Sequence, residues 1–406
     1  MKNIKAFAAL TGVLMLIVAC NPFDRSSRSF VNLSLPGNGQ SVAIRSDNMS
    51  IDIKYSGDIL FNKEETAIEK ISPGGYLDYR MNNKRLLAEA GANGDVVYNF
   101  YNDEDYQNEN GTGKQFLVEA IAQMISQGMF IKGRMERLYQ EGGVSLLLTE
   151  ARKIKTDNIK IKYIEYILQS DSISQEEMRK TLNIIATTMG SDNDKKEILG
   201  KVPLDYLQDA VTATAFFTAV ESINSDNDKA TALRKLLKQP LPESAFKSLL
   251  SSAKTINSDN DKANLLKDVI HNDFFAGSGY NSLLGVINSI GADNDKANIL
   301  KILIDKTIYP GEQFNSLLAV VNGIHADNDK AGVLKQLAGK DIGTVEGWIS
   351  LINQTTSISS DNDKAGVLLE VSKKMPRDEN TIAAYMKASR TISADNDYQR
   401  AVKPVK

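Results

Sequence analysis

An acid, an amide and a second acid recur along this chain at a spacing that invites chemistry. The first aspartate of the motif stands at Asp157, Asp192, Asp226, Asp259, Asp293, Asp327, Asp361 and Asp395, at intervals of 35, 34, 33, 34, 34, 34 and 34 residues. An asparagine follows it every time (Asn158, Asn193, Asn227, Asn260, Asn294, Asn328, Asn362 and Asn396), and five copies read "DNDKA". Two carboxylates around an amide can ligate calcium, serve as a general acid–base pair, or satisfy the unpaired amides that open a helix.

A calcium loop needs roughly six to eight oxygens, a glycine at its sharp turn and a glutamate about eleven residues on. Leu237 stands at that distance from Asp226, and the motif runs through Lys229 straight into an apolar helical pattern. A catalytic pair is needed once, whereas this motif is repeated. The helix-opening reading fits best. The preceding residue alternates between Ser225, Ser258 or Ser360 and Ala292, Ala326 or Ala394. Alanine cannot cap, so the eight first aspartates are expected to be the N-caps, each contributing about 0.5–2 kcal/mol. Cation binding by Asp226, Asp228, Asp259, Asp261, Asp293 and Asp295 is the alternative. The asparagine is expected to form a hydrogen-bonded rung with backbone of its own or the adjacent unit. The lysine (229, 262, 296, 330, 364) is expected to pair with an acid one repeat away.

Self-similarity at this period marks a stacked supersecondary unit. After each motif apolar residues return at helical spacing, as in Ala230, Leu233 and Leu237 or Ala263, Leu266 and Ile270. A variable turn follows, then a second amphipathic stretch with an aromatic ahead of Ser-Leu: Phe246, Tyr280, Phe314 and Trp348. Each unit therefore predicts two antiparallel helices, with the aromatic packed between them. About seven such units over residues 157–406 make an α-solenoid. Its atypical end copies, with Ile159 in place of the second acid and "DNDYQRAVKPVK" at the other end, are what terminal repeats look like.

Ahead of the repeats, residues 30–103 alternate apolar and polar side chains, as in "SVAIRS" and "SIDIKYSG". That period of two predicts half-buried strands in a small antiparallel sheet, closed or sandwiched, with tight reversals at Asn82-Asn83 and Asn93-Gly94. Residues 104–113 are polar and end in glycine, a linker. From Lys114 to 156 the period becomes helical, predicting a helical cap to the solenoid. The expected fold class is α+β.

Residues 1–19 combine Lys2 and Lys5 with an apolar run and small residues at its end, the pattern of a secretory signal. The run is shorter than the roughly 20 residues that span a bilayer. "IVAC" resembles the bacterial lipobox, which implies cleavage before Cys20 and its lipidation. Cys20 is the sole cysteine, which supports that reading. Residues 20–29 then form a lipidated tether, disulfides are excluded, and the protein attaches to the membrane through acyl chains such as palmitate. Asn21 follows the cysteine, so the expected location is the cell envelope, at the outer membrane of a diderm bacterium.

The net charge of −3, with acids and bases interspersed, leaves no nucleic-acid footprint. His271 and His325 have no metal-ligand spacing, and no phosphate-binding or nucleophile-elbow motif stands in its proper context. No enzyme and no cofactor are expected.

The period of 34 is shared with tetratricopeptide repeats, whose Gly, Ala and Pro signature is not matched, so the repeats are described as HEAT-like. The stretch "ISPGGYLDYR" with "NNKRLLAEA", followed by "GKQFLVEAIAQMI", "RMERLYQEGGVSLLLTEARKI" and the Asp-containing repeats, resembles the extracytoplasmic regions of penicillin-sensor-type membrane metallopeptidases. The His-Glu-x-x-His helix of those peptidases is missing, so the resemblance implies architecture and no proteolysis. Taken together, the sequence predicts a lipid-anchored scaffold for a protein or peptide partner, with a calcium or ligand sensor as the competing class.

Overall fold

A computed structural model describes residues 29–35, 39–46, 49–103, 105–107, 109–238, 240–272, 279–307 and 310–405. The signal segment, Cys20 and most of the tether lie outside the described residues. The chain divides into two compact units, with the boundary between Gly143 and Val144. The fold class is α+β: an antiparallel sheet followed by a series of helices in repeats.

Among the described residues the first unit holds nine strands: β1 (Ser29–Leu35), β2 (Gly39–Ser46), β3 (Met49–Ser56), β4 (Ile59–Phe61), β5 (Ile68–Ile71), β6 (Tyr76–Met81), β7 (Lys84–Ala90), β8 (Val96–Asn102) and β9 (Asp105–Gln107). Seven form one open sheet in the order β1-β2-β3-β6-β7-β8-β9, while β4 and β5 pair separately. The sheet is thus neither closed nor sandwiched against a second large sheet. One helix, α1 (Lys114–Ser126), supplies the missing layer.

The pairing register explains why. It sets Ile44 opposite Ile51, Ile53 opposite Tyr79, Tyr79 opposite Leu86, and Leu86 opposite Phe100. Side chains alternate faces along a strand, so these residues form a single apolar band across five strands. Phe116, Leu117, Ala120, Ile121 and Met124 of α1 join that core. The helix read from sequence as the start of a solenoid cap therefore packs under the sheet. The expected linker also contributes a strand, β9. Asn82, at φ 55°, turns the chain between β6 and β7, as its position predicted.

The opposite face of the sheet is polar. Asp78, 8% exposed, accepts two bonds from Arg85 (2.8 and 3.0 Å) and two longer ones from Arg80. Burial alone would raise its pKa, but the two guanidiniums outweigh that and hold the carboxyl below its ordinary value.

Helix α2 (Ile131–Lys153) breaks at Gly142 and Gly143, and Gly143 has φ 62°, a conformation glycine adopts without strain. Beyond it the second unit alternates two sets of helices. The first set opens at each motif: α3 (Asp157–Leu168), α5 (Asp192–Leu199), α7 (Asp226–Leu236), α9 (Asp259–His271), α11 (Asp293–Lys306), α13 (Asp327–Ala338), α15 (Asp361–Lys374) and α17 (Asp395–Val402). The second set lies between them: α4 (Gln175–Thr188), α6 (Ala210–Glu221), α8 (Glu243–Lys254), α10 (Gly279–Asn288), α12 (Glu312–Asn322), α14 (Val345–Gln354) and α16 (Glu379–Ser389). Helices of one set pack on the neighbouring members of the same set, α9 on α11 and α8 on α10. This is the stacking expected of an α-solenoid. Phe246, Tyr280, Phe314 and Trp348 are all buried at 4% exposure or less, so the aromatic stripe is core.

Candidate functional site: the repeated loop edge

Each "S/A-D-N-D-K-A" segment divides its work among four residues. The serines are the N-caps: Ser191, Ser225, Ser258 and Ser360 have extended backbone, and each Oγ accepts the N–H three residues on, at 3.2–3.3 Å. Ala292, Ala326 and Ala394 hold the same backbone position without a side-chain bond. The expectation that Asp157, Asp192, Asp226, Asp259, Asp293, Asp327, Asp361 and Asp395 cap their own helices is therefore corrected. Each is the first residue of its helix. A cap needs non-helical φ/ψ, which the residue before the aspartate has.

The carboxylate is used one repeat further on. Asp157 Oδ2 accepts the N–H groups of Gly190 and Ser191, both at 2.7 Å. Asp192 accepts from Ser225 (2.8 Å), Asp226 from Asn257 and Ser258 (3.1 and 2.8 Å), and Asp259 from Gly291 and Ala292 (3.0 and 2.8 Å). Asp293 accepts from His325 and Ala326 (2.9 and 2.7 Å), Asp327 from Ser359 and Ser360 (3.1 and 2.7 Å), and Asp361 from Ser393 and Ala394 (3.0 and 2.9 Å). Seven carboxylates thus staple seven following loops. Because the staple fixes the N–H of the cap residue itself, alanine can stand there.

The lysine reaches forward too. Lys160, Lys195, Lys229, Lys262, Lys296, Lys330 and Lys364 are buried, at 1–6% exposure. Lys195 Nζ donates to the carbonyl of Ser222 at 2.8 Å, Lys296 to that of Gly323 at 3.2 Å and Lys364 to that of Thr391 at 3.0 Å. Lys262 meets both the carbonyl and the hydroxyl of Ser289, while Lys160 meets those of Thr188. Lys229 and Lys330 reach hydroxyls, Thr255 Oγ1 and Ser357 Oγ, both at 3.4 Å. The acceptors cluster where helices of the second set end, and that end of a helix dipole favours a cation. The expected pairing of these lysines with an acid one repeat away is replaced by this helix-end contact, although Asp361 and Asp157 also lie 3.9 and 4.0 Å from the ammoniums of their own repeats. For Lys160, burial lowers the pKa and the nearby Asp157 only partly restores it.

The asparagine behaves differently. All eight are exposed. Asn193, Asn260, Asn294 and Asn362 each accept one bond, from Lys196, Asn264, Asn298 and Arg400 respectively. Among the described residues none of the eight amides donates a side-chain bond. The expected structural rung does not form. Beside them run the second aspartates. Asp228 pairs with Lys196 at 2.8 Å, whereas Asp261, Asp295, Asp329 and Asp363 are half-exposed and have no cation within pairing distance among the described residues.

As for metal chemistry, no group of three or more His, Cys, Asp or Glu side chains converges among the described residues. In the alternative set, Asp226, Asp259 and Asp293 have an oxygen already facing backbone N–H donors, the wrong polarity for a cation. His271 Nδ1 lies 2.6 Å from the carbonyl of Lys267 in its own helix, and His325 contributes its backbone N–H to Asp293. No helix among the described residues is long and apolar enough to cross a membrane. No protein-family model and no curated protein matches this chain.

Proposed function

We propose that the protein is a non-enzymatic lipoprotein of the cell envelope, anchored through Cys20 at the outer membrane, whose helical repeats bind a protein or peptide partner. The single observation that carries the binding role is the asparagine row. At other exposed positions the copies have drifted: the position occupied by Thr218 in α6 is Ser251 in α8, Gly285 in α10, Ala319 in α12 and Asn353 in α14. The asparagine is kept in every copy, is exposed in all of them, and among the described residues its amide donates no bond. An exposed amide kept in every copy, with no donor bond to make inside the described fold, is left to serve an external partner.

The test compares the mature chain with its Asn260→Ala, Asn294→Ala, Asn328→Ala, Asn362→Ala variant in cross-linked capture from envelope extract. The partner should be lost from the variant while its melting temperature holds. Equal capture by both chains overturns the reading. For the anchor, Cys20→Ser should abolish incorporation of a palmitate analogue and release the protein from membranes.

A further inference from the structure

We infer that the asparagine row is built for a basic peptide in the polyproline II conformation, with a lysine or arginine at every third residue. This rests on the scaffold reading above and names the chemistry of its partner.

Pitch selects the conformation of the ligand. Helices of one set pack against their neighbours, and packed helices stand about 8–10 Å apart. The aspartate staples from each helix start to the next loop bring these starts into register, so the asparagines recur at about that interval. A ligand that meets them all must repeat at the same distance. Polyproline II completes a turn in three residues of about 3.1 Å, which is about 9.3 Å. A β-strand returns to the same face after two residues, about 6.6 Å, and falls out of step within one repeat.

Hydrogen-bonding capacity selects an open backbone. A side-chain amide offers two donors and an acceptor. Polyproline II has no internal backbone bonds, so its carbonyls, and the N–H of any residue that is not proline, remain open to such a group. Among the described residues, Asn260, Asn294 and Asn328 have their donors free in three successive copies.

Charge selects a basic side chain. One copy of the motif carries two aspartates and one lysine, and that lysine is buried against a helix end. Asp295 and Asp329 are left half-exposed beside the amides, with no cation paired to them among the described residues. They recur at the same interval as the amides, so they fit one positive side chain per polyproline turn. A glycan could also present hydroxyls at a regular pitch, but the recurring aromatics on which sugars would stack, Phe246, Tyr280, Phe314 and Trp348, are buried.

The experiment measures fluorescence anisotropy of labelled (Pro-Pro-Lys)n against the full mature chain. Comparison ligands are a peptide of identical composition with shuffled lysines, the (Pro-Pro-Glu)n peptide and a chito-oligosaccharide. The triplet lysine peptide should bind best. Its affinity should fall by about tenfold or more in the fourfold Asn→Ala variant at an unchanged melting temperature. Replacing Asp261, Asp295, Asp329 and Asp363 by Asn should flatten the salt dependence. Equal binding of the shuffled peptide, undiminished binding by the Asn→Ala variant, or preference for the oligosaccharide overturns the inference. If every peptide fails while envelope capture still depends on the asparagines, this inference falls and the scaffold reading stands.

Discussion

Asp226 Oδ2 accepts the backbone N–H of Ser258, a residue 32 positions later in the chain, at 2.8 Å. The bond joins two repeats, and it is made at the residue that caps the next helix. Such a carboxylate acts on the interface between repeats, where solenoid stability is decided.

Replacing Asp293 with Ala should therefore destabilise the protein by about 2–3 kcal/mol, since two N–H groups lose a charged acceptor. Ser258→Ala should cost less, about 0.5–1 kcal/mol, because Ala292 and Ala326 already occupy the same place. Urea unfolding followed by the fluorescence of Trp348, the sole tryptophan, ranks the two. A larger loss for the serine would refute the staple.

Lys262→Met keeps the length of the side chain and removes its ammonium. The carbonyl and hydroxyl of Ser289 then lose their buried donor, for a loss of about 1–3 kcal/mol. Amide exchange near Ser289 should speed up before exchange in the first unit does. Uniform protection in the variant would show that the contact carries no weight.

Two glycines of α10 should respond in opposite directions. A methyl group on Gly279 would sit 2.8 Å from the Phe246 ring, so Gly279→Ala should destabilise by about 1–3 kcal/mol. Nothing lies within 4 Å of a methyl group at Gly285, and Gly285→Ala should stabilise by about 0.5–1 kcal/mol. Thermal melts of the two variants suffice to check the signs.

Asp78 makes the first unit sensitive to acid. Its native pKa lies below the unfolded value of about 3.9, so its ionised form stabilises the fold at higher pH. That contribution is complete above the unfolded value and disappears as pH falls through the native one. Asp78→Asn should lower stability near neutrality by about 2 kcal/mol and flatten the dependence below about pH 4. Near-UV dichroism of the tyrosines in the sheet reads the transition. A parallel, unflattened profile would exclude this carboxyl as the source.

The parts of the fold written in short-range patterns were legible. Alternation marked β2, β3 and the meander of β6 to β8, and the motif intervals marked paired helices, because both depend on neighbours a few residues apart. What joins the repeats was not, because Asp226 to Ser258 and Lys262 to Ser289 connect residues 32 and 27 positions apart. Their geometry exists only once the helices have packed. A signal was present in the alanines: an aspartate kept beside Ala292 as faithfully as beside Ser258 has work other than capping. For α1, amphipathicity was plain, but it could not say which surface the apolar stripe would cover. The asparagine row was visible from the start, and only its exposure separated an outward-facing residue from a rung.

Both reaching side chains of the motif point the same way along the polypeptide, from each copy to the one after it. Synthesis on the ribosome runs in that direction as well. The carboxylate and the ammonium of a finished copy are waiting when its successor emerges, and the successor's backbone amides and helix-end oxygens have a docking place before its own grips are complete. Each copy thus carries the acceptor and the donor on which the loop of the next one is set.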